Sequence, residues 1–257
     1  MFFNGINFKD NTDYAYACAK VRALENKLLS RSDYLRILDL EQDQIVQYLV
    51  EHDYTKMAAD KDEMFLSEAL GDQWEETIQL VCEMLDRDDY ITIIRMRYDF
   101  LNLKILIKNS LRSEEEREEL KLFKYSNLHV DELVELFNEE KFDLLPEYLY
   151  DAIKKFNDQL EDKSPSAVDI IIDKIMYAKI LEFAAKSGND FLLKYYGRII
   201  DLKNIINLFR LKSLKREFKD YQKIIMDGGL VDTGLLLKLY GEPFDMILNR
   251  LHFLDYY

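Results

Sequence analysis

Glycine and proline are scarce in this sequence, which has eight glycines and three prolines among 257 residues. Because these two residues interrupt helices and shape tight turns, their scarcity argues against a fold with many sharp turns. Apolar residues instead recur every three or four positions along most of the chain, and no convincing run of alternating β-strands is found. The pattern predicts an all-α fold.

The sequence also contains few cysteines and no long uninterrupted apolar run. The chain has two cysteines, Cys18 and Cys82, and no signal-like N-terminus. This favours a reducing, cytosolic compartment without disulfides, and both thiols are expected in the core. The most apolar long segment, 167–185, is interrupted by five charged residues, so no membrane-spanning helix is predicted. Any membrane contact would be peripheral.

Positive charge is not in excess, since the formal net charge is −14. A general nucleic-acid binder needs a basic surface, so no nucleic-acid partner is expected. Charge is nevertheless uneven, with a net −6 over 110–145 and a net +5 over 203–223. The basic stretch is either a surface for a protein partner or a solvated face that pairs with the protein's own acidic residues. Its candidate residues are Lys203, Arg210, Lys212, Lys215, Arg216 and Lys219.

The common catalytic and ligand-binding motifs are missing. There is no Gly-rich phosphate loop, no Glu-x-x-His or His-Glu-x-x-His pattern and no Cys-x-x-Cys pair. The three histidines are far apart in sequence, and Cys18 is interpreted as structural rather than as a nucleophile. The acidic clusters at 86–89 and 113–119 lack the features of a calcium loop. We expect no catalytic residue, metal, nucleotide or other cofactor on this chain.

One short motif occurs twice. Asp99 and Asn102 lie three positions apart among apolar residues, and Asp201 and Asn204 repeat this arrangement 102 positions later. Both pairs are flanked by two apolar stripes, which is typical of a helix packed between two neighbours. A buried carboxylate without a partner costs roughly several kcal/mol, so a partner is expected. The candidates are another helix's terminus or Arg95, Arg97, Tyr195 and Arg198.

A polar staple that fixes the docking of modules is favoured here over a ligand site. The same 102-residue shift aligns 140–146 with 242–248, and a shift of 88 aligns the weaker copy at 43–54 with 131–142. Two matches in one register indicate an internal repeat.

The repeat divides the chain into helical module 1 at 1–112, helical module 2 at 113–226 and the start of helical module 3 at 227–257. Linkers are expected at 110–127, 162–167 and 226–234, with Ser30 or Ser32 capping an early helix and Pro165 starting another. Beyond an N-terminal helix, helices are predicted around 43–52, 64–85, 88–111, 131–138, 146–159, 167–186, 189–195, 198–226, 232–240 and 244–255.

The chain resembles the central-stalk socket subunit of rotary V-type and A-type ATPases. The resemblance rests on the order and spacing of three segments, 14–30, 97–108 and 200–212. This component is named C in archaeal and bacterial enzymes and d in eukaryotic ones. The resemblance extends from about Tyr14 to Arg250. It implies repeated helical modules in a pseudo-threefold funnel, of which the third is incomplete in this sequence.

The resemblance also implies a function. Such a subunit is not an enzyme; it lies on the cytoplasmic face, peripheral to the membrane, and links the central shaft to the membrane rotor ring. ATP hydrolysis or synthesis is thereby coupled to proton or sodium transport, while nucleotide binds to other subunits. Repeated helices are equally typical of a soluble scaffold or adaptor for other protein partners, and this alternative stays open.

Overall fold

Helices form all the regular secondary structure in the computed structural model, which describes residues 14–54, 63–85, 89–117, 120–159 and 164–252. The all-α prediction is confirmed. Short 3-10 segments lie at Glu114–Glu116 and Phe142–Leu144. The α-helices in chain order are α1 (Ala15–Glu25), α2 (Arg31–Leu38), α3 (Gln42–Glu51), α4 (Glu63–Met84), α5 (Asp89–Ser110), α6 (Val130–Asn138), α7 (Glu147–Gln159), α8 (Pro165–Lys186), α9 (Asp190–Ser213), α10 (Phe218–Ile224), α11 (Thr233–Leu239) and α12 (Phe244–Leu251).

The described residues divide into two compact units. The smaller unit contains α1 to α4, the beginning of α5 up to Arg95, and the segment 123–127. Leu49 and Ala69 are buried in its core, surrounded by partly buried residues of α2 and α3. The larger unit contains the rest of α5 from Met96 and all described residues from Leu128 onward. None of the described helices combines the length and apolar content needed to cross a bilayer.

The centre of the larger unit is a hairpin of α8 and α9. Ser164 caps α8 by accepting a hydrogen bond from the Ala167 N–H, and Pro165 occupies the first turn, as predicted. The hairpin reverses at Gly188, whose φ of +66° lies in the left-handed region that glycine adopts without strain. Asn189 then caps α9 through the Leu192 N–H.

The C-terminal half of α9 is covered by the three short helices that follow it. Their shared core contains four fully buried side chains, Leu208, Tyr221, Leu236 and Ile247. Burial raises the pKa of the Tyr221 hydroxyl, because the phenolate would lose its hydration there. This core fixes the position of the loop between α10 and α11 relative to α9.

The helix boundaries predicted around α9 are wrong in two places. The expected helices at 189–195 and 198–226 are instead one helix that continues through Gly197 to Ser213, followed by a separate α10. Gly197 lies inside α9 at a point of close packing, where a Cβ would press on Leu230. The chain leaves the helix near Lys215, whose φ is +53°, and apolar periodicity does not reveal such a reversal.

The two thiols are less buried than predicted. Cys18 is exposed and Cys82 is only partly buried. The expectation that both lie in the core is therefore wrong. Ala17, the neighbour of Cys18, is the buried residue of α1, and Cys18 instead lines an open apolar groove with Val21 and Tyr90.

Helix positions recur at the interval found in the sequence. Helix α4 and helix α8 have the same length, and each end of α8 lies 102 residues after the corresponding end of α4. Helix α9 corresponds to α5 within one residue at each end under the same shift. The division at 112 and 226 into modules stays a prediction.

Helix α2 begins with a reciprocal capping box. The Ser30 hydroxyl accepts from the Asp33 N–H, and the Asp33 carboxylate accepts from the Ser30 N–H at 2.6 Å. The Tyr48 hydroxyl donates to the same carboxylate at 2.7 Å. The Ser30 hydroxyl also donates to this carboxylate, at 2.6 Å. Hydrogen bonds donated to the carboxylate favour its charged form and lower the pKa of Asp33 from 3.8 to about 2, with the bond from the Ser30 side chain as the largest cause.

We expect the Ser30→Ala variant to raise the pKa of Asp33 toward its ordinary value, measured by NMR titration of the carboxyl carbon. Because the folded pKa is depressed, the stabilisation from Asp33 is present above about pH 4 and is lost as pH falls toward 2. The variant should therefore lose less stability over that acid range. Tyr48→Phe should raise the pKa as well, and an unchanged value in both variants would contradict the capping geometry.

Candidate functional site

The second copy of the repeated motif holds a loop against α9. Asp201 and Asn204 are fully buried, and they face the segment that joins α10 to α11. The Asp201 carboxylate accepts hydrogen bonds from the Leu230 N–H at 2.9 Å and from the Val231 N–H at 3.1 Å. These bonds satisfy two backbone donors and stabilise the charge of the buried carboxylate.

Asn204 binds the other end of the same loop. Its side-chain amide donates to the Met226 carbonyl at 2.8 Å, and its side-chain oxygen accepts from the Met226 N–H at 2.9 Å. The backbone carbonyl of Asn204 accepts from the Tyr221 hydroxyl. Two side chains one turn apart on α9 thus fix both ends of the segment 226–231, which we call the α9 loop.

The glycine pair inside the α9 loop permits this close approach. Gly228 has a φ of +94°, a conformation that residues with a Cβ rarely adopt. A Cβ on Gly229 would overlap the carboxylate of Asp201, and a Cβ on Gly228 would overlap the side chain of Leu181. The loop can therefore follow α9 only with small residues at these positions.

The first copy of the motif has a related arrangement. Asp99 and Asn102 are fully buried in α5. The Asp99 carboxylate accepts from the Leu128 N–H at 3.0 Å and from the Tyr148 hydroxyl at 2.8 Å. Leu128 and Leu230 are related by the same 102-residue shift, so each aspartate binds the same backbone position of the loop that follows it.

The partners in these bonds differ from the arginines and Tyr195 proposed from the sequence. Arg95 instead pairs with Glu75 at 2.7 Å, and the Tyr195 ring contacts Phe191 and Tyr196. Sequence reasoning missed the loop amides and Tyr148. The sequence did contain a signal for the loop amides, because Leu128 and Leu230 are separated by the same 102 positions as the two aspartates.

Tyr148→Phe tests the first copy. Losing the hydroxyl removes one hydrogen bond to a buried carboxylate, and we expect the free energy of unfolding to fall by about 1.5 to 2 kcal/mol. The ring contact with Phe100 is kept in the variant. Tyr150→Phe on the same helix is the matched control, since Tyr150 is exposed and its effect should stay within about 0.5 kcal/mol. Equal urea midpoints for the two variants would exclude a stabilising role for the Tyr148 hydroxyl.

The six candidate basic residues do not form one helical face. Lys203 lies over the Tyr177 ring, and the Lys212 ammonium donates to the Tyr240 carbonyl at 2.6 Å. Lys219 pairs with Glu217 at 2.7 Å. The remaining three, Arg210, Lys215 and Arg216, are exposed, and they are divided between the end of α9 and the turn that follows it.

Ion pairs join α5 to α8 in the larger unit. The Lys104 ammonium lies 2.7 Å from the Asp173 carboxylate, and the Lys108 ammonium lies 2.7 Å from the Asp169 carboxylate. The side chain of Lys104 is 12% exposed, so its pairing is largely shielded from solvent. Because the partners follow opposite directions along the two helices, α8 is antiparallel to α5 along this face.

The polar groups of the motif serve packing. Among the described residues, no group of three or more His, Cys, Asp or Glu side chains is placed to hold a metal ion. The Asp201 carboxylate accepts bonds at both oxygens, and both side-chain polar groups of Asn204 bind the α9 loop. Long helices whose positions recur 102 residues apart, each pair with a buried aspartate that binds the following loop, are typical of a repeat-built helical protein.

Comparison with known proteins identifies the family. Residues 17–257 match the family model described as ATP synthase (C/AC39) subunit, and the chain belongs to this family. It is 27% identical to the C subunit of the A-type ATP synthase of Methanosarcina mazei, over 97% of this chain and 72% of that protein. It is also 25% identical to the C subunit of the A-type ATP synthase of Methanococcoides burtonii, over 96% of this chain and 73% of that protein.

Proposed function

We propose that this chain is a non-catalytic central-stalk subunit of a rotary V/A-type ATPase. It links the rotor shaft to the membrane rotor ring, so that ATP hydrolysis or synthesis is coupled to proton or sodium transport. The observation that carries this proposal is the family match over residues 17–257. The relatives named above are themselves C subunits of A-type ATP synthases.

Torque transmission requires a connection that resists bending. The buried bonds of Asp201 and Asn204 to the α9 loop supply such resistance within the second copy, since four hydrogen bonds hold the loop to one helix. The bonds of Asp99 to Leu128 and Tyr148 act similarly in the first copy. These hydrogen bonds support a mechanical role, because they stiffen the protein from inside. The exposed side chains stay available for contacts with partner subunits.

The proposed arrangement follows the repeat. The modules would form part of a pseudo-threefold funnel on the cytoplasmic face, peripheral to the membrane. They are module 1 at 1–112, module 2 at 113–226 and the start of module 3 at 227–257. The funnel would bind the shaft at one end and the ring at the other. Arg210, Lys215 and Arg216 are exposed, and they would contact acidic groups of a partner.

The experiment is a pull-down of purified shaft and rotor-ring subunits with this chain. A second bait joins the chain to the part of the Methanosarcina mazei relative that lies outside the match. The proposal predicts that at least one bait binds the shaft or the ring. A triple charge reversal of Arg210, Lys215 and Arg216 should weaken binding more than Lys219→Glu, because Lys219 is already paired with Glu217.

Absence of binding by both folded baits would overturn the proposal. In that case a helical scaffold that binds other proteins would be the better description. Recovery of ATP-driven ion transport, on adding the bait to a rotary complex lacking this subunit, would establish coupling directly.

A further inference from the structure

A small open cavity lies where α9 ends in the larger unit, and we call it the α9-end cavity. Its volume is about 390 Å³, and its lining contains two cations, Lys212 and Arg216, and two aromatic side chains, Tyr240 and Phe244. Among the described residues that line it, Glu242 alone is acidic. The chain as a whole has a formal net charge of −14. A concave site with excess positive charge in such an acidic protein indicates a surface for an anionic group.

The Lys212 ammonium is held in place by the cavity itself. It donates to the Tyr240 carbonyl at 2.6 Å, and it lies 5.4 Å from the centre of the Tyr240 ring and 5.6 Å from that of Phe244. An ammonium has three donors, so two remain for a ligand. The Tyr240 hydroxyl donates to the Arg216 carbonyl at 2.8 Å, which fixes the backbone beside the second cation. Arg216 is exposed, and its side chain pairs with no carboxylate in the part of the chain that the structure describes.

Apolar side chains surround the two cations. Phe244 and Phe218 are each 43% exposed, and Leu214, which lies between the two cations along the chain, is 61% exposed. Phe218 contacts the ring of Tyr240, which lines the cavity. A ligand that brings a carboxylate to the two cations can therefore cover apolar surface as well. This combination fits a peptide that has acidic residues next to a large apolar side chain.

The equivalent position in the first copy of the repeat has a different charge. Under the 102-residue shift, Lys212 corresponds to Ser110 and Arg216 corresponds to Glu114. The repeated fold therefore does not require cations here, which favours a role for them in binding over a role in folding. Ser110 and Glu114 are exposed, although the second copy follows them along the chain. Exposure at this position of the repeat therefore does not depend on where a copy ends.

We propose that the α9-end cavity binds an acidic segment of a partner protein, with a carboxylate on Lys212 and Arg216 and a large apolar side chain against Phe244. A compact phosphate fits less well, because its charge would lie close to Glu242 and to the carbonyl end of α9. Carboxylates spaced along a peptide carry one charge each and can avoid both. This inference deepens the proposed contact of Arg216 with acidic groups, and in that respect it rests on the proposed function.

The probe is a fluorescein-labelled peptide, Glu-Glu-Phe-Glu-Glu, titrated with the full chain and followed by fluorescence anisotropy. We expect saturable binding in the high micromolar range, and roughly tenfold weaker binding of Gln-Gln-Phe-Gln-Gln. Arg216→Glu should weaken binding of the probe by roughly tenfold or more, because it replaces attraction with repulsion. Lys223→Glu on α10 is the matched control, since it makes a similar charge reversal at an exposed position outside the cavity. It should weaken binding by less than about twofold.

Three outcomes would overturn the proposal. They are equal binding of the acidic and the neutral peptide, equal weakening by Arg216→Glu and Lys223→Glu, and tighter binding of inorganic phosphate than of the peptide, measured by displacement of the probe. Circular dichroism checks that both variants keep their helices. Shaft and ring are absent from this titration. Failure of the peptide to bind would therefore leave the pull-down result unaffected, and failure of the pull-down would leave the peptide result unaffected.

Discussion

Replacing Asp201 with leucine is expected to lower the free energy of unfolding by about 3 kcal/mol or more. The variant removes the acceptor for two backbone N–H groups, those of Leu230 and Val231. Because Asp201 is fully buried, water does not readily replace the lost bonds. Urea unfolding of the full chain, followed by circular dichroism, measures the effect.

Two controls separate this staple from ordinary surface effects. Asp190→Leu changes the same residue type at an exposed position on α9, and Lys219→Ala changes an exposed side chain on α10. Both should shift stability by less than about 1 kcal/mol. Asn204→Leu should behave like Asp201→Leu, since it frees both polar groups of Met226. Equal midpoints for all four variants would show that the bonds contribute nothing to stability.

Gly229→Ala is expected to have the second large effect, a loss of about 2 to 3 kcal/mol in the free energy of unfolding. The added methyl group would overlap the Asp201 carboxylate, which cannot move away without breaking its bonds to the α9 loop. Gly241→Ala is the matched control, because a Cβ there meets its nearest atom at 3.8 Å and should be tolerated. Thermal unfolding compares the two variants.

A double variant tests the assigned cause. If the carboxylate is what excludes the methyl group, Gly229→Ala should cost less in an Asp201→Ala background than in the unmodified chain. Strictly additive losses would show that the glycine is required for another reason.

The sequence predicted the class of fold because helix-forming periodicity is a local property. The start of α8 at Pro165 and the cap of α2 at Ser30 were also readable, since capping depends on a few adjacent residues. The end of α9 was missed, because the left-handed conformation of Lys215 has no strong local signal in the sequence. Burial of Cys18 was misjudged for the same reason: one helix has several candidate faces, and tertiary contacts choose among them.

The motif shows where sequence reasoning reached its limit. Polar residues within apolar stripes indicated that Asp201 and Asn204 need partners, and this follows from the cost of burying them. An arginine can be recognised in a sequence as a partner for a carboxylate. Backbone N–H groups are present at every residue except proline, so nothing in the sequence marks those of Leu230 and Val231 as the partners. The apolar stripe beside the motif also differs between the two copies, since Phe100 in α5 is buried whereas Leu202 in α9 is exposed. The two sequence patterns are similar, so they do not reveal this difference in packing.

The two aspartates have a consequence for the folding pathway. The bond from Asp99 to the Leu128 amide and the bond from Asp201 to the Leu230 amide each join residues 29 positions apart. Closing a loop of this length has a modest entropic cost, and chains dominated by such near-sequence contacts fold quickly. Each copy can therefore complete its own staple without waiting for the other. During synthesis, Asp99, Leu128 and Tyr148 are all added to the chain before Asp201, so the groups of the first staple are made before those of the second.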